Sequence, residues 1–129
     1  MTDLTKILYA EDEADIREIA TLALENIGLL ETATCESGAF VIDLALSFQP
    51  QLILLDVMMP DMDGPTTLAA LKKHAVLKDI PVVFLTAKIL SDEIARFKSL
   101  GAIDVISKPF DPMTLADQIR DIWKNHHEQ

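Results

Sequence analysis

Short, unbroken apolar runs alternate with segments of helical periodicity along this chain of 129 residues. The runs are Ile7-Leu8-Tyr9-Ala10, Leu52-Ile53-Leu54-Leu55, Val82-Val83-Phe84-Leu85 and Val105-Ile106. None is interrupted by polar residues, which is the pattern of strands buried on both faces of a parallel sheet. Glu31-Thr32-Ala33-Thr34-Cys35 is less apolar but β-prone, which suits an outer strand. Between the runs, Ile16, Ile19, Ala20, Ala23 and Ile27 recur at helical spacing, with Gly28 as the stop. Leu68 and Leu71 mark a helix near 65–74, and Ile94 and Phe97 another near 91–100 that ends at Gly101. The segment 38–48 is helical up to the break at Pro50, and Leu115, Ile119 and Ile122 trace a last helix opened by Asp111-Pro112. Five strand–helix alternations predict right-handed crossovers and one α/β domain over 1–129, with no internal repeat or linker.

In such sheets ligands bind beyond the carboxyl ends of the strands. Those ends carry Glu11-Asp12, Asp56, Thr86 and Ser107-Lys108-Pro109. If the strands are parallel, three carboxylates, a hydroxyl and an ammonium converge on one edge. Three carboxylates alone raise one another's pKa values, and a divalent cation relieves the conflict. Oxygen ligands without His or Cys nearby favour Mg²⁺. Lys108 and Thr86 add the positive charge and hydroxyl donor that suit a phosphoryl group. Each residue has a plainer use taken singly. Glu11, Asp12, Glu13 and Asp15 also favour the positive end of a following helix, Lys108 alone reads as a surface lysine, and Thr86 as a strand-end cap. Their joint occurrence at four strand ends carries the signal.

Charge and cysteine count narrow the class. Twenty-one acidic against eleven basic residues give a formal charge of -10, which argues against a broad basic nucleic-acid surface. Cys35 is the only cysteine, so neither an intrachain disulfide nor a multi-cysteine metal site can form, and a reducing, cytoplasmic setting is expected. Packing as a small hydrophobe is its expected role. The start of the chain lacks a signal-peptide pattern, and no apolar run reaches the roughly 20 residues that span a bilayer.

Tyr9-Ala10-Glu11-Asp12-Glu13, Leu54-Leu55-Asp56-Val57-Met58-Met59-Pro60 with Asp63-Gly64, Ile80-Pro81-Val82-Val83-Phe84-Leu85-Thr86-Ala87 and Lys108-Pro109-Phe110 resemble the response-regulator receiver family over about 5–125. The resemblance implies a flavodoxin-like, doubly wound five-stranded parallel sheet of order 2-1-3-4-5 with five helices. It implies that Asp56 accepts a phosphoryl group from a sensor histidine kinase or histidine phosphotransfer protein, with a downstream protein target. It further implies that Asp12, Asp56 and the backbone carbonyl of Met58 ligate Mg²⁺, and that Glu11 reaches the ion through water. It also implies that Thr86, Lys108 and the backbone N–H of Ala87 contact the phosphoryl group, and that the Lys108–Pro109 bond is cis.

Some positions depart from the family pattern. Val105 stands where many relatives carry an aromatic ring that turns inward on activation, so the signal is expected to leave through Thr86, the loop after it and the helix near 91–100. By resemblance, Met58 and Lys88 stand at positions that border the phosphoryl group in the family; Met58 cannot orient water, and Lys88 is expected to shield the site or pair with the phosphate, which predicts slow self-dephosphorylation. Phe40, Ile42 and Leu46 lie largely off the core stripe Val41, Leu44, Ala45 and Phe48, a candidate partner surface set against ordinary scattered exposure. Asp61-Met62-Asp63-Gly64 fails as a calcium loop because Ala70 falls where a glutamate is required, and it reads as a strand-to-helix turn at Gly64. His74, His126 and His127 are too scattered for a metal site, and Trp123 reads as packing. A stand-alone switch without direct nucleic-acid or membrane contact is the expected form, with a module cut from a longer regulator as its alternative. An aspartyl-phosphate phosphatase would need an acid/base aspartate where Met58 stands. A flavoprotein would need a phosphate-cradling loop where Glu11-Asp12-Glu13 repels phosphate.

Overall fold

All five runs become strands in the structure, a computed structural model that describes residues 3–87 and 90–127. The strands are β1 (Lys6–Ala10), β2 (Glu31–Cys35), β3 (Leu52–Asp56), β4 (Val82–Thr86) and β5 (Asp104–Ser107). The helices are α1 (Ala14–Leu22), α2 (Val41–Phe48), α3 (Gly64–Lys73), α4 (Ser91–Leu100) and α5 (Leu115–His127). Every strand pair is parallel and the sheet order is 2-1-3-4-5. The central strands β3 and β4 are buried at every position, while β2, on the edge, is not. The three four-residue apolar runs therefore mark the middle of the sheet; the Thr-rich β2 is one edge, and β5 with Val105-Ile106 is the other, only partly buried rather than covered on both faces.

Alternation along each strand divides the core in two. Ile7, Tyr9, Leu54, Leu85 and Ile106 pack with Ala20, Leu24, Leu115, Ile119 and Trp123, between the sheet and α1 and α5. Leu8, Ala10, Ile53, Leu55 and Phe84 pack with Val41, Ala45, Leu68, Leu71 and Phe97, between the sheet and α2, α3 and α4.

Several details differ from the sequence expectation. Ala20, Ala23 and Leu24 make the buried side of α1 and its extension, whereas Ile19 and Ile27 are about half exposed at 48% and 45%. At Ile27 the cause is a widened, π-helical turn over Ala23–Ile27, which changes the angle per residue, while Ile19 lies before that turn and lines the groove at the strand ends. Gly28 does not end this helix by a left-handed turn, since its φ is -83° and Leu29 takes the positive φ of 57°. A glycine is required there because a Cβ would lie 2.5 Å from Cβ of Ala116 on α5. Gly64 is likewise set by close approach, its Cβ position lying 2.7 Å from the Asp56 carbonyl oxygen, and the left-handed residue of that loop is Asp61. The segment before α2 is a single 3₁₀ turn over Gly38–Phe40. Ile42 packs against the core rather than facing outward, while Phe40 and Leu46 are exposed at 55% and 40%. Asp111-Pro112 forms a turn ahead of α5, with Asp111 Oδ1 accepting from Met113 N–H at 2.9 Å, and regular helix starts at Leu115. Gly101 ends α4 in the left-handed conformation, φ 117°.

Candidate functional site

Parallel pairing carries the strand ends to one edge. The register Ala10↔Leu55 places Glu11 next to Asp56, and Thr86 pairs with Ser107, the residue before Lys108. Glu11 shares strand parity with Tyr9, and Asp56 with Leu54, so both carboxylates lie toward the α1–α5 side. Glu11, Asp56 and Thr86 are buried, at 0%, 3% and 6% exposure. The Lys108–Pro109 bond is cis.

Lys108 stands between the two buried carboxylates. Its Nζ lies 2.8 Å from Glu11 Oε1 and 3.2 Å from Asp56 Oδ2. The Met58 N–H donates to Asp56 Oδ1 at 3.3 Å, and the Glu13 N–H to Glu11 Oε2 at 3.3 Å. Two residues outside the expected set also hold the site. Tyr9 donates its hydroxyl to Glu11 Oε1 at 3.0 Å, and Arg17 Nη1 donates to the Glu11 carbonyl at 2.7 Å. Strand alternation alone puts residues 9 and 11 on one face, so the tyrosine was legible; the arginine depends on where α1 docks.

Electrostatics separates the carboxylates. Burial pushes Asp56 up to about 7, helped by the hydrogen bond and charge of Glu11, with Lys108 pulling the other way. Burial also pushes Glu11 upward, but hydrogen bonds shared with Asp56 and Lys108 outweigh it, and the carboxyl sits below its ordinary value. Lys108 is opposed by burial, yet Glu11 and Asp56 hold its ammonium above the usual lysine value. Two buried carboxylates thus share one ammonium.

One ligand oxygen from each of Glu11, Asp12 and Asp56 lies within 4.8 Å of the others, the geometry of a divalent cation site. Asp12 Oδ1 is buried without a hydrogen-bond partner, an acceptor whose desolvation is left uncompensated. An all-oxygen donor set with surplus negative charge and an orphaned acceptor fits a hard cation. Asp56, Met58, Ala87 and Lys108 open onto a groove of about 510 Å³, walled on the apolar side by Ile16, Ile19 and Phe110. The structure thus brings together Glu11, Asp12, Asp56 and Lys108, with Ala87 and Met58 lining the groove and Thr86 buried at the end of β4 beside Ser107. Lys88 lies outside the described residues. Val105 is half-buried against the α2–α4 side of the core.

The model of the response regulator receiver domain matches residues 7–120. The chain belongs to the response regulator receiver family. The receiver is 38% identical over 119 residues to the phosphate regulon transcriptional regulatory protein PhoB of Klebsiella pneumoniae, covering 92% of this chain and 52% of that protein. It spans about half the length of the curated relatives it matches. In structure it is similar to the chemotaxis response regulator CheY4 of Vibrio cholerae, with TM-score 0.84 and 27% identity over 92% of this chain and 98% of that one. It is similar also to the receiver domain of a signal transduction histidine kinase from Syntrophus aciditrophicus, with TM-score 0.80 and 30% identity over 97% and 94%. No helix among the described residues is long and apolar enough to cross a membrane.

Proposed function

We propose that residues 1–129 act as one phosphorylation-dependent switch, with Asp56 as the phosphoacceptor. The observation that carries this is the buried Asp56 carboxylate, 3.2 Å from Lys108 at the mouth of an open groove and beside an acidic cluster. An Asp56 oxygen attacks phosphorus, the bond from phosphorus to the imidazole nitrogen of a phosphohistidine breaks, and the imidazole keeps the electron pair. Asp12, Asp56 and the Met58 carbonyl would hold Mg²⁺, with Glu11 reaching it through water; when bound, the ion offsets the charge of carboxylates and phosphoryl group. Lys108, Thr86 and the Ala87 N–H receive the phosphoryl oxygens.

The receiver turns over no external substrate in this reading; a sensor histidine kinase or phosphotransfer protein supplies the group, and a cytoplasmic partner reads the result. Stand-alone action and service within a longer regulator both fit, and the half-length match to proteins named as transcriptional regulators keeps the second beside the first. Incubation with acetyl phosphate and Mg²⁺ followed by intact mass measurement tests the assignment. The parent gains one phosphoryl group and Asp56→Asn none; equal labelling of both would remove Asp56 from this role.

A further inference from the structure

No step of phosphoryl acceptance uses Tyr9, yet its hydroxyl belongs to the site. Glu11 Oε1 accepts from two side chains at once, Tyr9 at 3.0 Å and Lys108 at 2.8 Å. The same ammonium also serves Asp56 Oδ2 at 3.2 Å, so one cation bridges two buried carboxylates. A phosphoryl group on Asp56 draws that ammonium toward its own oxygens. Glu11, 0% exposed, then gives up its direct ammonium contact, and the direct side-chain donor left on Oε1 is the Tyr9 hydroxyl. The Tyr9 hydroxyl is placed to stay. Its ring is fixed among Leu54, Leu85 and Ile106, and burial, then Glu11, pushes its ionisation far upward, so it remains a donor.

We propose that Tyr9 is a positioning residue that anchors the Glu11 carboxylate while Lys108 changes partner from Glu11 to the phosphoryl group. This rests on the reading of Asp56 as phosphoacceptor. The plain alternative is a buried phenol that takes the nearest acceptor and contributes to folding alone. The two differ in whether the Tyr9–Glu11 bond responds to what sits on Asp56.

Tyr9 is the sole tyrosine of the chain, so ¹³C labelling at tyrosine Cζ gives one resonance that reports this hydrogen bond. At saturating Mg²⁺, addition of beryllofluoride, a phosphoryl mimic, shifts that resonance in the parent. Tyr9→Phe keeps the ring, melts within a few degrees of the parent in chelator, and binds beryllofluoride about tenfold more weakly, the scale of one hydrogen bond to a charged group. A Cζ resonance unmoved by beryllofluoride, or equal affinity in parent and Tyr9→Phe, overturns the proposal. Should Tyr9→Phe not fold, the resonance of the parent decides by itself. A parent that binds beryllofluoride no better than Asp56→Asn sinks the phosphoacceptor reading and this inference with it.

Discussion

Two residues past Asp56, the Met58 side chain stands 77% exposed at the rim of the groove. A thioether neither orients a water by donating a hydrogen bond nor accepts one strongly. Water reaching a phosphoryl group from this side is therefore unpositioned, and positioning is much of what a hydrolytic step gains. The phosphorylated receiver is expected to lose phosphate slowly in Mg²⁺ buffer without a phosphatase, and Met58→Asn to lose it about tenfold faster. Phosphate release followed for both proteins checks this; equal rates would free Met58 from any part in the lifetime.

An aromatic contact joins α4 to β4, the strand that carries Thr86. Phe84 on β4 and Phe97 on α4 meet edge to face at 4.9 Å between ring centroids, two residues before Thr86 on the strand. Phe84 pairs in register with Val105, which has no ring to turn inward. A pull on Thr86 therefore has a packed route to α4 through β4, where the usual aromatic switch is missing. With Mg²⁺ and beryllofluoride, amide resonances over 91–100 should shift in solution NMR. Shifts confined to α1 and α5 would close this route. The helices also show where periodicity misleads. It located α1 but put Ile27 in the repeat, and the widened turn over Ala23–Ile27 alters the angle per residue and leaves that side chain about half exposed. It flagged Phe40 and Leu46 as outward-facing, which they are, and Ile42, which the core takes.

At the scale of the whole molecule, the acidic edge trades stability for chemistry. A carboxyl whose pKa is raised on folding stabilises the fold fully below its unfolded value, and this contribution is lost as pH rises through the folded value. For Asp56 that window runs from 3.8 to about 7. Glu11 is shifted the other way, so its contribution is lost only as pH falls into the acid range, outside this test. In chelator the parent should lose stability between about pH 5 and pH 7.5 relative to Asp56→Asn, ending roughly 1–3 kcal/mol less stable, since each pKa unit is worth about 1.4 kcal/mol. Urea unfolding of both proteins across that range measures the gap. A parallel pH profile would show that Asp56 carries no such penalty, and added Mg²⁺ should narrow the gap by stabilising the carboxylate.

By itself the sequence determined the strand–helix alternation, the burial of β3 and β4 and the polar residues at the strand ends, because each follows from local pattern and strand periodicity. Tertiary structure alone decided how those ends are used: that one lysine bridges Glu11 and Asp56, that Arg17 grips the Glu11 backbone, and that Asp12 keeps an unpartnered oxygen. It also decided that Gly28 and Gly64 are glycines for want of space rather than for turn geometry. Distances of about 3 Å between residues far apart in the chain depend on how helices dock and sheets twist, and no local pattern encodes those.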